Sequence, residues 1–260
     1  MPTISFREVS RVFPGKEGGF TALDRVGLDI GDGEFVTVVG PSGCGKSTLM
    51  NIAAGLQEAT GGEVLVDGRP VSGPSPERGV IFQQYALFPW MTVAGNVEYG
   101  LRIAGVGKEE RRRRAREMIA LVGLTPFADS LPKTLSGGMK QRCAIARAYA
   151  VDPAVLLMDE PFGALDALTR VRMQDSLLDT WGRERRTVLF ITHDVDEAVY
   201  LGSRVVVMAA RPGRIQEIVP VALPYPRTEE QRLSARFAEI RARVWSAVHH
   251  QPEPGEGEAP

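Results

Sequence analysis

The feature that most limits what this chain can become is the run Gly40-Pro41-Ser42-Gly43-Cys44-Gly45-Lys46-Ser47, which follows the short apolar stretch Phe35 to Val39 and precedes residues with helical spacing. Strand, glycine-rich turn and helix in that order match a phosphate-binding loop. The glycines let backbone N–H groups turn inward around phosphate oxygens, and the helix that follows points the positive end of its dipole at the same anion. In this reading Lys46 reaches the β- and γ-phosphates, Ser47 ligates Mg2+, and Thr48 adds a hydroxyl to the α-phosphate. Cys44 reads as a small filler and not as a reactive thiol.

The surrounding pattern is that of an α/β chain. Ile4 and Phe6 alternate with polar neighbours, as do Leu28 and Ile30, and Val64 to Val66 and Val80 to Phe82 read as further strands between turn-rich segments. From about Thr92 the spacing becomes helical, with Met118, Leu121 and Val122 at three and four spacing beside a charge run from Lys108 to Arg116. Glu109, Glu110 and Glu117 share that run with Arg111 to Arg114, so it reads as a solvated helix face. Ala154 to Met158 and Thr187 to Thr192 are apolar or β-branched throughout, as suits strands of a parallel sheet covered on both faces, with a helix over Ala167 to Arg183 between them. Val205 to Met208 and Arg214 to Val219 form a final strand pair, and Glu229 to Val248 a terminal helix with Leu233, Phe237, Ile240 and Val244 on one stripe. The tail from Gln251 to Pro260 is expected to be disordered. The expected fold is therefore a phosphate-loop NTPase core with a parallel sheet, N-terminal antiparallel strands and an inserted helical subdomain.

Composition narrows the partners. A formal net charge of −1 provides no overall basic field for nucleic acid. Apolar runs such as Val205 to Ala210 fall far short of the roughly 18 residues of a membrane-spanning helix, so work at a membrane requires another chain to span it. Cys44 and Cys143 lack CxxC spacing and the N-terminus does not read as a signal peptide, so a reducing cytoplasm is the expected setting.

A phosphate loop alone serves kinases, GTPases and transport ATPases alike, so the ends of the other buried strands decide. The run Val155 to Met158 ends in Asp159 and Glu160, at the edge where open α/β sheets place their ligands. Asp159 can hold Mg2+ through its water shell, and Glu160 can accept a proton from water attacking the γ-phosphate. The plainer alternative is two acids that close a strand and open a turn. Val188 to Thr192 ends in His193, either an ordinary hydrogen-bonding loop residue or a contact to the γ-phosphate that steadies Glu160 and the attacking water.

The heptapeptide Leu135-Ser136-Gly137-Gly138-Met139-Lys140-Gln141 resembles the signature sequence of ABC ATPases, and with it the chain resembles the ATP-binding cassette of an ABC transporter over about residues 3 to 225. That resemblance implies ATP and Mg2+ as cofactors, Gln83 as the glutamine that senses Mg2+ and water, and Gly163 to Asp166 as the loop that couples two active sites. It places Phe13 where an aromatic ring stacks on adenine. Ser136, Gly137 and Gly138 would cap the γ-phosphate bound by a second copy of the cassette, although by themselves they suit a helix N-cap equally. The implied organisation is an ATPase domain over 1–225, with its core at 1–87 and 153–225 and the helical insert at 88–152, followed by a C-terminal helix at 226–250 and the tail at 251–260. The implied partners are a second cassette, an integral membrane permease subunit at the cytoplasmic face and, indirectly, a solute-binding protein, with no nucleic acid among them. The aromatic stretch Tyr85 to Trp90 would form the groove for the permease, or its rings simply pack the insert. Phe88 to Val93 with Asn96-Val97 looks most like importers of nitrate, sulfonate, taurine and related anions. A soluble ABC ATPase acting on nucleic acid or ribosomes is the rival class, and a phosphate-loop kinase would leave Leu135 to Gln141 without a purpose.

Overall fold

The computed structural model describes residues 3–15 and 19–250, apart from the side chain of Glu184; the expected disordered tail lies outside the described residues. In chain order the strands are β1 (Ile4–Phe13), β2 (Phe20–Ile30), β3 (Phe35–Val39), β4 (Gly61–Val66), β5 (Arg69–Pro70), β6 (Arg78–Ile81), β7 (Val155–Asp159), β8 (Thr187–Ile191), β9 (Arg204–Ala209) and β10 (Arg214–Pro220). The helices are α1 (Lys46–Ala54), α2 (Val93–Ile103), α3 (Lys108–Leu121), α4 (Gly137–Ala150), α5 (Ala167–Glu184), α6 (Val195–Leu201), α7 (Glu229–Arg232) and α8 (Ala235–His249). The chain divides into two compact units, one running up to Pro74 and resuming at Glu184, the other spanning Ser75–Arg183.

In the first unit β3 lies between β8 and β9, parallel to both, and β10 returns antiparallel to β9. Every residue of β3 and β8 is buried, which is why both read as continuous apolar runs without alternation. The polar exceptions are Thr37 and Thr187; the Thr37 hydroxyl donates to Ala198 O at 3.0 Å and so ties α6 to β3. β1, β2, β4 and β5 form the expected antiparallel sheet, with β1 between β2 and β4.

The entry to β3 is fixed by charge. Glu34 accepts from Arg204 Nε at 2.6 Å and Nη2 at 2.8 Å, and from the Gly31 N–H at 2.8 Å. Burial pushes the Glu34 carboxyl up, but the hydrogen bonds from Arg204 and Gly31 and the charge of Arg204 outweigh it and hold the carboxyl below its ordinary value. A carboxyl lowered in the folded state stabilises the protein above its unfolded pKa and loses that contribution as pH falls through the folded one. Arg204→Met therefore lowers the unfolding free energy by about 2 kcal/mol at neutral pH, less than for a fully buried pair because both side chains keep some exposure. The deficit shrinks below about pH 4, where the carboxyl is protonated without its partner; urea unfolding at two pH values checks both statements.

In the second unit β6 and β7 pair in parallel, and α2, α3 and α4 supply the expected helical segment. The charge run on α3 is held by ion pairs: Arg113 meets Glu110 and Glu117, Arg114 meets Glu110, and Arg111 reaches Glu98 on α2 at 2.8 Å. Asn96 is fully buried because it organises the segment before α2, accepting from Phe88 N and donating to the carbonyls of Phe88, Met91 and Thr92. The Phe88 ring packs 4.5 Å from that of Tyr99, whereas Trp90 stays 71% exposed. Core packing thus accounts for Phe88 but not for Trp90.

The terminal helix differs from expectation. It is two helices, broken at Leu233 and Ser234, since the Ser234 side chain accepts from Phe237 N and starts α8 afresh. Phe237, Ile240 and Val244 are buried as their stripe requires, while Leu233, placed on the same stripe, is 83% exposed at the break. Among the described residues no helix is long and apolar enough to cross a membrane.

Candidate active site

The predicted site residues fall into two groups, one in each unit. In the first unit β3 ends at Val39, and the chain turns through Gly40 to Gly45 into α1. Two glycines there are sterically obligatory. A Cβ at Gly40 would stand 2.5 Å from Met208 O and 2.9 Å from Cys44 Sγ; one at Gly45, where φ is +90°, would stand 2.5 Å from Leu23 Cδ2 and 2.8 Å from Ala22 O. Lys46 Nζ donates back to Gly40 O at 2.8 Å and Pro41 O at 2.9 Å, so its charge hangs across the mouth of the turn. Ser42, Gly43 and Ser47 are exposed, and Pro41 and Thr48 half-buried. The first N–H groups of α1 have no carbonyl one turn back within the helix. Ammonium, first-turn N–H groups and hydroxyls on one rim suit a chain of phosphates. Cys44 is buried, and burial pushes its thiol up against the opposing pull of Lys46, so it is a filler as expected.

His193 arrives by strand register. Val38 pairs with Ile191, so two residues further on His193 is level with Gly40, and it is exposed there. Phe13 ends β1, two residues beyond Arg11, the partner of Leu23 that packs against Gly45. The Arg11 guanidinium lies 4.8 Å over the Phe13 ring.

In the second unit Asp159 closes β7 and is 7% exposed, and Glu160 follows with φ +47°, a conformation that costs a residue with a Cβ roughly 1 kcal/mol or more. Gln83 Nε2 donates to Glu160 Oε2 at 2.9 Å. Register again explains the meeting: Ile81 pairs with Met158 in the parallel ladder, and Gln83 and Glu160 each stand two residues beyond that pair. Ser136 caps α4, accepting from Met139 N at 3.3 Å, and Gly137 and Gly138 form its first turn. Asp166 caps the start of α5, where hydrogen bonds from the Thr169 side chain and backbone hold its carboxyl below the ordinary value. Leu165 packs on Gly138, 3.2 Å from where a Cβ would stand, so the Asp166 loop abuts the signature helix.

A second link, besides the hydrogen bond from Gln83 to Glu160, was not foreseen from the sequence. Arg147 on α4 donates to Ala86 O at 2.6 Å and Tyr85 O at 3.2 Å, joining the segment after Gln83 to the helix that Ser136 begins. Its only trace in the sequence is an arginine among the small and apolar residues at the end of α4. Among the described residues no cluster of three or more His, Cys, Asp or Glu side chains could cage a metal. The donor set instead suits Mg2+, which takes a few protein oxygens beside phosphate and water.

Comparison with known proteins identifies the family. A family profile described as ABC transporter matches residues 23–163, more than half of the chain. The chain is 71% identical over 250 residues to a protein of Brucella abortus named for ATP binding, covering 96% of this chain and 95% of that one. It is 51% identical over 221 residues to the nitrate import ATP-binding protein of Synechocystis sp., covering 85% and 83%. Its fold is similar to that of the ATP-binding cassette MJ0796 in a dimeric, post-hydrolysis state bound to ADP and Pi, with a TM-score of 0.79 and 34% identity, covering 85% of this chain and all of that one. The chain belongs to the ABC transporter family, as one of its ATP-binding and ATP-hydrolysing subunits.

Proposed function

We propose that this ATPase powers an importer of a small anion such as nitrate, a sulfonate or taurine. Two copies close on two ATP molecules, with Ser136, Gly137 and Gly138 of each completing the pocket of the other. The pair sits peripherally at the cytoplasmic face of the membrane on a permease subunit, which receives solute from a binding protein. Phe13 stacks on adenine, Gly40 to Gly45 wrap the phosphates, Lys46 offsets their charge, and Thr48 reaches the α-phosphate. Bound Mg2+ would neutralise the β- and γ-phosphates, with Ser47, Gln83 and Asp159 holding the ion or its waters. Glu160 takes the proton of the attacking water, His193 steadies the γ-phosphate, and Asp166 links the two sites.

The reading of the site rests chiefly on the hydrogen bond from Gln83 to Glu160, which orients the carboxylate that is to act as base. The cargo class rests on the identity to a nitrate import protein and on the Phe88 to Val97 pattern. Deleting the gene should abolish energy-dependent uptake of at least one of radiolabelled nitrate, taurine and alkanesulfonate, with wild-type chain but not Glu160→Gln restoring it. Unchanged uptake of all three would reject the cargo class.

A further inference from the structure

We infer that Arg227 and Tyr225 position His193 for turnover by clamping the far end of α6. The inference rests on the reading of His193 given above. α6 is a seven-residue strut that begins directly after His193 and Asp194. Its first end is set by Asp194, whose side chain accepts from Glu197 N and whose N–H donates to Thr192 Oγ1 at 3.0 Å. A helix this short is not stable by itself, and its last carbonyls lack partners within the helix.

The segment beyond the last strand supplies them. Tyr225 Oη donates to Leu201 O at 2.7 Å, Arg227 Nε to Tyr200 O at 3.1 Å and Arg227 Nη2 to Gly202 O at 2.8 Å. The Arg227 guanidinium lies 3.9 Å over the Tyr225 ring, and that of Arg232 lies 3.4 Å over the Tyr200 ring. At the opposite end of α6, Asp196 meets Arg241 of α8 at 3.4 Å. Arg227 is 7% exposed. Burying a guanidinium against carbonyls gives little net stability compared with an apolar side chain of similar volume, so orientation accounts for it better than stability does. The helix it holds is fastened on its inner side to β3, the strand that delivers the phosphate loop, through Thr37. Both neighbours of the γ-phosphate in this unit are thereby referenced to one strut.

The test uses the full chain with Arg227→Met, Arg227→Lys and Tyr225→Phe, comparing kcat, KM for ATP and amide exchange. Arg227→Met should lower kcat about tenfold with KM changed less than about twofold, since misplaced groups cost rate before binding. Arg227→Lys, which keeps the charge but not the fork, should recover part of the loss. Exchange should quicken over Val195 to Leu201 and stay unchanged over Phe35 to Val39. Wild-type kcat in a folded Arg227→Met, or KM rising in step with the loss of kcat, overturns the inference. If Arg227→Met does not fold, Tyr225→Phe decides, because it removes the hydroxyl with its hydrogen bonding and keeps the ring; wild-type kcat and exchange there are equally fatal. His193→Ala separates the two claims. Full turnover in that variant removes the role of His193 and this inference with it, whereas an inactive His193→Ala beside a fully active Arg227→Met rejects the inference alone.

Discussion

Replacing Glu160 with glutamine lowers ATP turnover by about a thousandfold, the scale on which a positioned general base contributes. The substitution is nearly isosteric, and the amide oxygen still accepts from Gln83 Nε2, so the positive-φ backbone at this position and the Asp159 to Gly163 turn keep their shape. What is lost is a group able to take a proton. Nucleotide binding, which asks nothing of that proton, stays intact, and ATP-bound pairs of the chain outlive the chromatographic run that separates them in the wild type. Phosphate release and size-exclusion chromatography with ATP check the two halves of this expectation. Wild-type turnover in the variant would remove Glu160 from the reaction.

Lys46→Ala acts earlier, on binding. In the structure the ammonium donates to Gly40 O and Pro41 O, so the folded turn already holds it where phosphate charge has to be offset. Charge-assisted hydrogen bonds of this kind are worth about 3 kcal/mol, or roughly a hundredfold in affinity. Nucleotide affinity should fall by that factor or more and hydrolysis should become undetectable. Fluorescent-nucleotide titration measures the first and phosphate release the second. Unaltered affinity would contradict the assignment of the loop's lysine.

How much of this could be read from the sequence depended on whether an interaction was local. The phosphate loop, its strand and its helix lie within twenty residues, and the steric demands on Gly40 and Gly45 leave their mark as glycine itself. Asp159 and His193 were placed because a buried strand announces its own end with a polar residue. The hydrogen bond between Gln83 and Glu160 was out of reach, since it depends on which strand pairs with β6 and in what register. Nothing in either segment alone encodes that choice. Arg147 escaped for the same reason, as its partners are backbone carbonyls, and a carbonyl carries no signature in the amino-acid code. The break in the terminal helix was legible in principle, because Thr228 with Gln231, and Ser234 three residues before Phe237, are two successive capping signals. The regular apolar stripe masked them, and a stripe reports which face is buried, not where hydrogen bonding is interrupted.

The contacts beneath Gly40 and Gly45 have a consequence for affinity. Met208 of β9 presses on the first, and Ala22 and Leu23 of the antiparallel sheet press on the second, so the turn is braced by two sheets at once. A loop braced in this way loses its freedom when the chain folds and has little left to lose when an anion arrives. The antiparallel strands thus act as the anvil on which the turn is shaped.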